Sequence, residues 1–161
     1  MEGGRFVITV LRRFLLVLAL MFWQGGFMFY GGVVVEVGAI VLGSHRTQGF
    51  VTQAVTEYLN AAGAVALAVW GWDVAAGRAG TERRLRWIAW GALVVLLGVL
   101  VLLHPRLDAL LEADGFRVLD ARAYRRLHQM YLFTSSVQWA GALVLLALTI
   151  RAWRAEDGSH R

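Results

Sequence analysis

The amino-acid sequence reads as an all-α integral membrane protein, an antiparallel four-helix bundle with a short interfacial helix in its third loop. Three observations carry that reading. The chain is 58% hydrophobic and only 17% charged, against about 45–50% apolar and about 25% charged residues in ordinary soluble domains. Its apolar residues collect into four long runs, on the scale of the ~18–20 residues that cross a ~30 Å hydrocarbon layer as a helix. Only short polar stretches separate the runs, so the 161 residues form a single domain, residues 1–161.

The first helix spans about residues 14–43. Phe14 to Val35 carries no formal charge, and Glu36 interrupts an apolar pattern that resumes to Gly43. A cleavable signal peptide is the rival reading, but no small-x-small site follows and the run exceeds a signal core, so a mature helix is expected. The loop Ser44-His45-Arg46-Thr47 leads to a second helix at about 49–72, with Glu57 inside it and Asp73 closing it. The third, about 85–103, has Arg86 near its start and stops at His104-Pro105, where proline removes a ladder donor. The loop that follows, Pro105 to Ala123, places Leu107, Leu110 and Leu111 at helical spacing before Asp114-Gly115. It reads as a short interfacial helix and a turn. Asp120 is positioned to cap the fourth helix, about 124–150.

Arginine supplies every basic side chain except the histidines, for there is no lysine among the 16 Lys/Arg residues and no cysteine. Disulfides, thiolate sites and lysine chemistry are excluded. The basic pI near 10.7 needs a solvated face to bind nucleic acid, and the apolar runs leave little of one; no nucleic-acid partner is expected. Arginine bias orients the bundle instead. Arg5, Arg12, Arg13, the four arginines of Arg78–Arg86, and Arg151, Arg154 and Arg161 lie on one side. Arg46, Arg106, Arg117, Arg122, Arg125 and Arg126 lie on the other. Both termini are therefore expected in the cytoplasm, and arginine-only usage suits a bacterial inner membrane.

Helix faces follow from spacings of three and four residues. Gly25, Phe29, Gly32, Glu36, Ala39 and Gly43 share a face of the first helix. Gly49, Gln53, Glu57, Asn60, Ala64 and Gly71 share one on the second, and His128, Tyr131, Ser135, Gln138 and Ala142 one on the fourth. The third offers only Gly91 and Gly98. As packing faces, these let backbones approach and let Gln53, Asn60, Ser135 and Gln138 form a polar bundle core.

The same faces admit a functional reading. Glu36 lies about 10 Å and Glu57 about 12 Å below one membrane surface at a rise of ~1.5 Å per residue. His104 closes the third helix and His128 opens the fourth at that surface. Intramembrane ionisable residues are functional candidates by default, and Glu36, Glu57, His128 and His104, with His45 nearby, suit a metal site by ligand type. Against it, neither glutamate begins the Glu-x-x-His motif of carboxylate-bridged bundle sites; a protonated glutamate bonded to Asn60, Gln53 or His128 is the simpler arrangement. A haem has only His128 as a well-placed helical ligand, so the cofactor is left unknown. The seven tryptophans, Trp23, Trp70, Trp72, Trp87, Trp90, Trp139 and Trp153, read as interfacial anchors. No phosphate loop or serine–histidine–acid spacing is present, and no catalytic residue is assigned.

The stretch from Phe22 to Asn60, with Gly49-Phe50-Val51-Thr52-Gln53 and Glu57-Tyr58-Leu59-Asn60, and the later Tyr124-Arg125-Arg126-Leu127-His128 with Ser135, resemble the DUF4149 family of four-helix membrane proteins, the transmembrane-protein-205-like group. The resemblance covers about three quarters of the chain and implies a four-helix integral membrane protein without assigning it a reaction. Asn60 stands where one member of the family has histidine and Ser135 where asparagine is common, which weighs against a histidine-rich metal site. The expected role is a structural or accessory subunit of a membrane complex or a homo-oligomer, with membrane lipid and other membrane subunits as partners. The alternative is a metal- or proton-handling protein, or a small-solute transporter, using the Glu/His cluster; a non-enzyme is expected over an enzyme.

Overall fold

The structure, a computed structural model, describes residues 2–77, 79–112 and 117–158. Helix α1 (Glu2–Phe29) passes through a π-helical segment, Tyr30–Val34, into α2 (Val35–Val41). Three long helices follow: α3 (His45–Ala76), α4 (Thr81–Asp108) and α5 (Ala121–Gly158). Four stretches, Phe6–Val41, Thr47–Ala76, Thr81–Asp108 and Ala121–Gly158, are long and apolar enough to cross a membrane.

The helices run past the limits that charge placement suggested at every end except the end of the first, which stops at Val41 short of Gly43. Several of the flanking charges are paired or capping and need no break. The α2–α3 turn ends one helix with Gly43 at φ 64°, where a left-handed residue lets Ser44 N–H reach back to Ala39 O at 3.1 Å. It starts the next with the Ser44 hydroxyl accepting from Thr47 N–H at 3.3 Å. Asp120 caps α5 as its position suggested, accepting from the N–H groups of Ala123 and Arg122 at 3.0 and 2.9 Å. Those two bonds hold its carboxyl below the usual carboxylate range. The cap's contribution is thus present above the unfolded pKa and is lost as pH falls through the folded one.

The segment after His104 differs from the expectation. Pro105 lies inside α4, which continues to Asp108, and no separate interfacial helix forms among the described residues. Leu103 and Leu107, one turn apart on either side of the proline, are both buried, and their burial outweighs the single donor that proline lacks. Beyond it, Leu111–Glu112 (β1) pairs antiparallel with Arg117–Val118 (β2). The expected Asp114-Gly115 turn lies outside the described residues.

Packing runs α1 against α3, α3 against α4, and α4 against α5. The core takes Leu16, Leu20 and Trp23 from α1, Ala66, Leu67, Trp70 and Val74 from α3, Leu93 and Leu97 from α4, and Ala142 and Leu145 from α5. Several tryptophans belong to this interior and not to an interfacial belt. Trp70 is fully buried and donates to Thr149 Oγ1 at 2.9 Å; Trp90 donates to Leu67 O at 2.8 Å. A buried indole needs such a partner for its N–H.

The glycines that matter for packing are not those of the expected first-helix face. A Cβ at Gly25, Gly32, Gly91 or Gly98 would meet nothing within 4 Å, whereas at Gly63 it would sit 2.9 Å from Trp23 Cε2 and Nε1. Gly63→Ala is expected to cost about 1–3 kcal/mol by overpacking, read as a lowered thermal midpoint in detergent. Gly91→Ala, with open space before it, is expected to be neutral by the same measurement; equal midpoints for the two would remove the Trp23–Gly63 contact as a constraint.

Candidate functional site: a polar cavity between the helices

A cavity of about 530 Å³ lies between the helices. Its mouth is formed where α3 begins, α4 ends and α5 begins, by His45, His104, Asp108, Tyr124 and His128; its apolar end is formed by Trp23, Phe27, Leu100 and Trp139. All four residues expected as a polar bundle core, Gln53, Asn60, Ser135 and Gln138, line it.

The walls are tied together by their own hydrogen bonds. Tyr30 O–H donates to Thr52 Oγ1 at 3.1 Å and accepts from Gln48 Nε2 at 3.3 Å. Tyr131 O–H donates across from α5 to Asn60 Oδ1 on α3 at 3.1 Å. Thr52 and Thr56 donate to the carbonyls one turn back, at 3.0 and 2.6 Å, and Gln138 Nε2 lies 3.5 Å from Leu93 O. The rings of Tyr124 and His128 stack at 5.7 Å, 10° from parallel. His104 Nδ1 sits 3.4 Å from Asp108 Oδ1.

The expected Glu36, Glu57, His128 and His104 group is not assembled. His104 and His128 line the cavity, while Glu36 and Glu57 are exposed on the outside of the molecule. Among the described residues no group of three or more histidine, aspartate and glutamate side chains is placed to hold a metal ion. The reason is which way each face turns. Gly25, Phe29, Gly32 and Glu36 are all exposed, so this face is turned outward before, within and beyond the π-helical segment Tyr30–Val34. After it, Val35 lines the cavity and Ala39 is buried. On α3 the inward stripe is Gln48, Thr52, Thr56, Leu59, Gly63, Ala66, Trp70 and Asp73. Of the face expected with Glu57, Gly49, Gln53 and Asn60 line the cavity and Gly71 is buried, while Glu57 and Ala64 are exposed at its outer edge. The α5 stripe was read in phase: Ser135, Gln138 and Ala142 are buried.

Sequence reasoning missed Tyr30 and Asp108 at the cavity and a second cluster at the opposite end of the helices. There Asp73 is 1% exposed and accepts from Arg12 Nε at 2.8 Å, from Arg86 Nη2, and from Trp153 Nε1 at 3.2 Å to each oxygen. Arg12 and Arg86, counted above only as orientation signals, are buried. Arg13 lies over the Trp153 ring at 5.2 Å and bonds Glu156 and Asp157 at 3.0 Å each. One carboxylate on α3 thus holds side chains of α1, α4 and α5. The cluster is a clamp that fixes the helix ends and leaves the cavity at the other end to be shaped by polar side chains. Comparison of the chain with protein-family models, curated proteins and solved structures gives no match.

Proposed function

We propose that this is an integral membrane protein, an antiparallel four-helix bundle with both termini on the cytoplasmic side, that takes up a small molecule in the cavity between its helices. The observation that carries the reading is the cavity itself: about 530 Å³, within the ~300–1,000 Å³ range of small-molecule sites, with convergent polar groups over an apolar end. Arginine bias supports the orientation, and a bacterial inner membrane is the location compatible with the arginine-only usage of a GC-rich bacterial genome. On this topology the mouth faces away from the cytoplasm. Membership of the DUF4149 group is part of the same proposal, supported by Gln53, Tyr124 and His128, residues of the resembling stretches that line the cavity. Transport is the variant of this reading in which the bound molecule leaves by a second route.

Trp23 and Trp139 at the apolar end make occupancy visible as a change in indole emission. Titrating the protein in lipid nanodiscs with small amines, alcohols and carboxylates is expected to give a saturable emission change with at least one class. That ligand at ~100 times its Kd is expected to add about 2.7 kcal/mol of stability. A folded protein with no saturable response to any class would overturn the reading.

A second reading, a homo-oligomer or an accessory subunit, is favoured by the outward placement of Glu57. It is exposed on an apolar span together with Ala54, Ala61, Ala64 and Ala68, at spacings of three and four. A carboxyl group facing lipid is costly, and small-residue faces let helices approach closely. Glu57→Leu is expected to convert cross-linked oligomers or co-purifying complexes in mild detergent to monomer, with the thermal midpoint retained. Identical cross-linking of the two proteins would remove Glu57 from any interface.

A further inference from the structure

Two buried acceptors at the cavity walls point to a class of ligand. Several wall donors are used within the protein: Tyr30 on Thr52, Tyr131 on Asn60, Gln48 on Tyr30, and the two threonines on backbone carbonyls. Two acceptors are not matched by them. Gln24, which lines the cavity from α1, has its Oε1 buried without a hydrogen-bond partner, and Asp108 Oδ1 has only the ionic contact with His104 Nδ1 at 3.4 Å. A buried acceptor left without a donor is unfavourable, and a ligand that supplies N–H groups relieves it.

Charge and ring geometry point the same way. Asp108 is the one carboxylate in the lining among the described residues, and no arginine of those residues lines it. The stacked Tyr124 and His128 pair at the mouth and Tyr30, Trp23 and Trp139 beyond it supply aromatic rings, whose faces attract cations. An anion would meet Asp108 with no arginine among the described lining residues to offset its charge.

We infer that the cavity takes a small organic amine in its ammonium form, its N–H donors directed to Asp108 and its apolar or aromatic body extending toward the apolar end. This rests on the reading of the cavity as a binding site and names the class of molecule it holds. Asp108, at the end of α4 beside the mouth, is the counter-ion.

The test compares three probes of one shape, phenethylamine, 2-phenylethanol and 3-phenylpropionate, titrated at pH 7 into the full chain in nanodiscs with indole emission as readout. Phenethylamine is expected to bind at least ~10-fold tighter than the alcohol, the scale of one charge-assisted hydrogen bond, and the carboxylate weakest. Asp108→Asn is expected to remove that ~10-fold advantage while leaving binding of the alcohol unchanged. Equal affinities for amine and alcohol, or tighter binding of the carboxylate, would overturn the ammonium assignment and leave the cavity reading standing. An amine preference that survives Asp108→Asn would overturn Asp108 as the counter-ion. No saturable binding of any of the three would overturn the assignment together with the cavity reading. Should Asp108→Asn not fold, the ranking of the three probes on the unmodified protein still decides.

Discussion

Replacing Asp73 with alanine is expected to cost about 3–5 kcal/mol, the scale of breaking a buried ion cluster by removing one partner. The Asp73 side chain is fully buried, and those of Arg12 and Arg86 are 7% and 2% exposed. Without the carboxylate, two guanidinium groups and the Trp153 N–H lose a common acceptor where water has little access. Folded domains hold only about 5–15 kcal/mol in all, so Asp73→Ala is expected to lose a large share of its stability in detergent. Circular-dichroism melting and the fraction eluting as folded monomer both measure it. The triple replacement Arg12→Met, Asp73→Leu, Arg86→Met is expected to recover much of the loss, because exchanging a whole buried ion cluster for apolar groups is often neutral or stabilising. Full stability of Asp73→Ala alone would show that the cluster holds nothing together.

Trp70→Ala is the second large effect, at about 3–5 kcal/mol, as for other buried tryptophans truncated to alanine. Its ring has no exposed surface and sits in one core cluster with Leu67, Leu93 and Leu145, so truncation leaves a cavity that helices clamped at Asp73 cannot readily collapse. Trp70→Phe retains most of the apolar ring but drops the bond to Thr149 Oγ1, and is expected to cost about 1–3 kcal/mol. Denaturation midpoints of the two variants separate packing from hydrogen bonding. If phenylalanine is as damaging as alanine, the hydrogen bond dominates and the packing account of Trp70 fails.

The cavity was half legible beforehand, and the reasons differ residue by residue. Gln53, Asn60, Ser135 and Gln138 stand out because polar groups in an apolar helix are scarce and their inward placement is favoured. The α5 stripe was readable because that helix is regular throughout its polar half. Glu36 and Glu57 were assigned to the interior by the same periodicity and lie outside. For Glu36 the cause is that the face it shares with Gly25, Phe29 and Gly32 is turned outward. For Glu57 it is a place at the edge of its face: Gln53 and Asn60 line the cavity, and hydrophobicity does not mark where the inward side of an apolar helix ends. Tyr30 escaped notice as one aromatic residue among several in the first apolar run, and Asp108 because it falls in the stretch read as the third loop.

The Asp73 clamp shows the limit most plainly. Its partners are 61, 13 and 80 residues away, separations that carry no local pattern. Arg12 and Arg86 can be counted from the sequence, but only packing decides that they point at one carboxylate.

Composition and the lengths of the apolar runs were enough to determine that this chain makes four long helices joined by short connections. Helix formation in an apolar run is settled by its own residues and backbone hydrogen bonds. Which face of each helix turns inward depends instead on contacts between helices. The tertiary structure therefore decided that the two glutamates lie outside, that Asp73 gathers α1, α4 and α5, and that the cavity is walled by amides, phenols and imidazoles. In a chain apolar on all sides, those contacts are specified by a few hydrogen bonds and close approaches such as Trp23 on Gly63, and they exist only once distant segments meet.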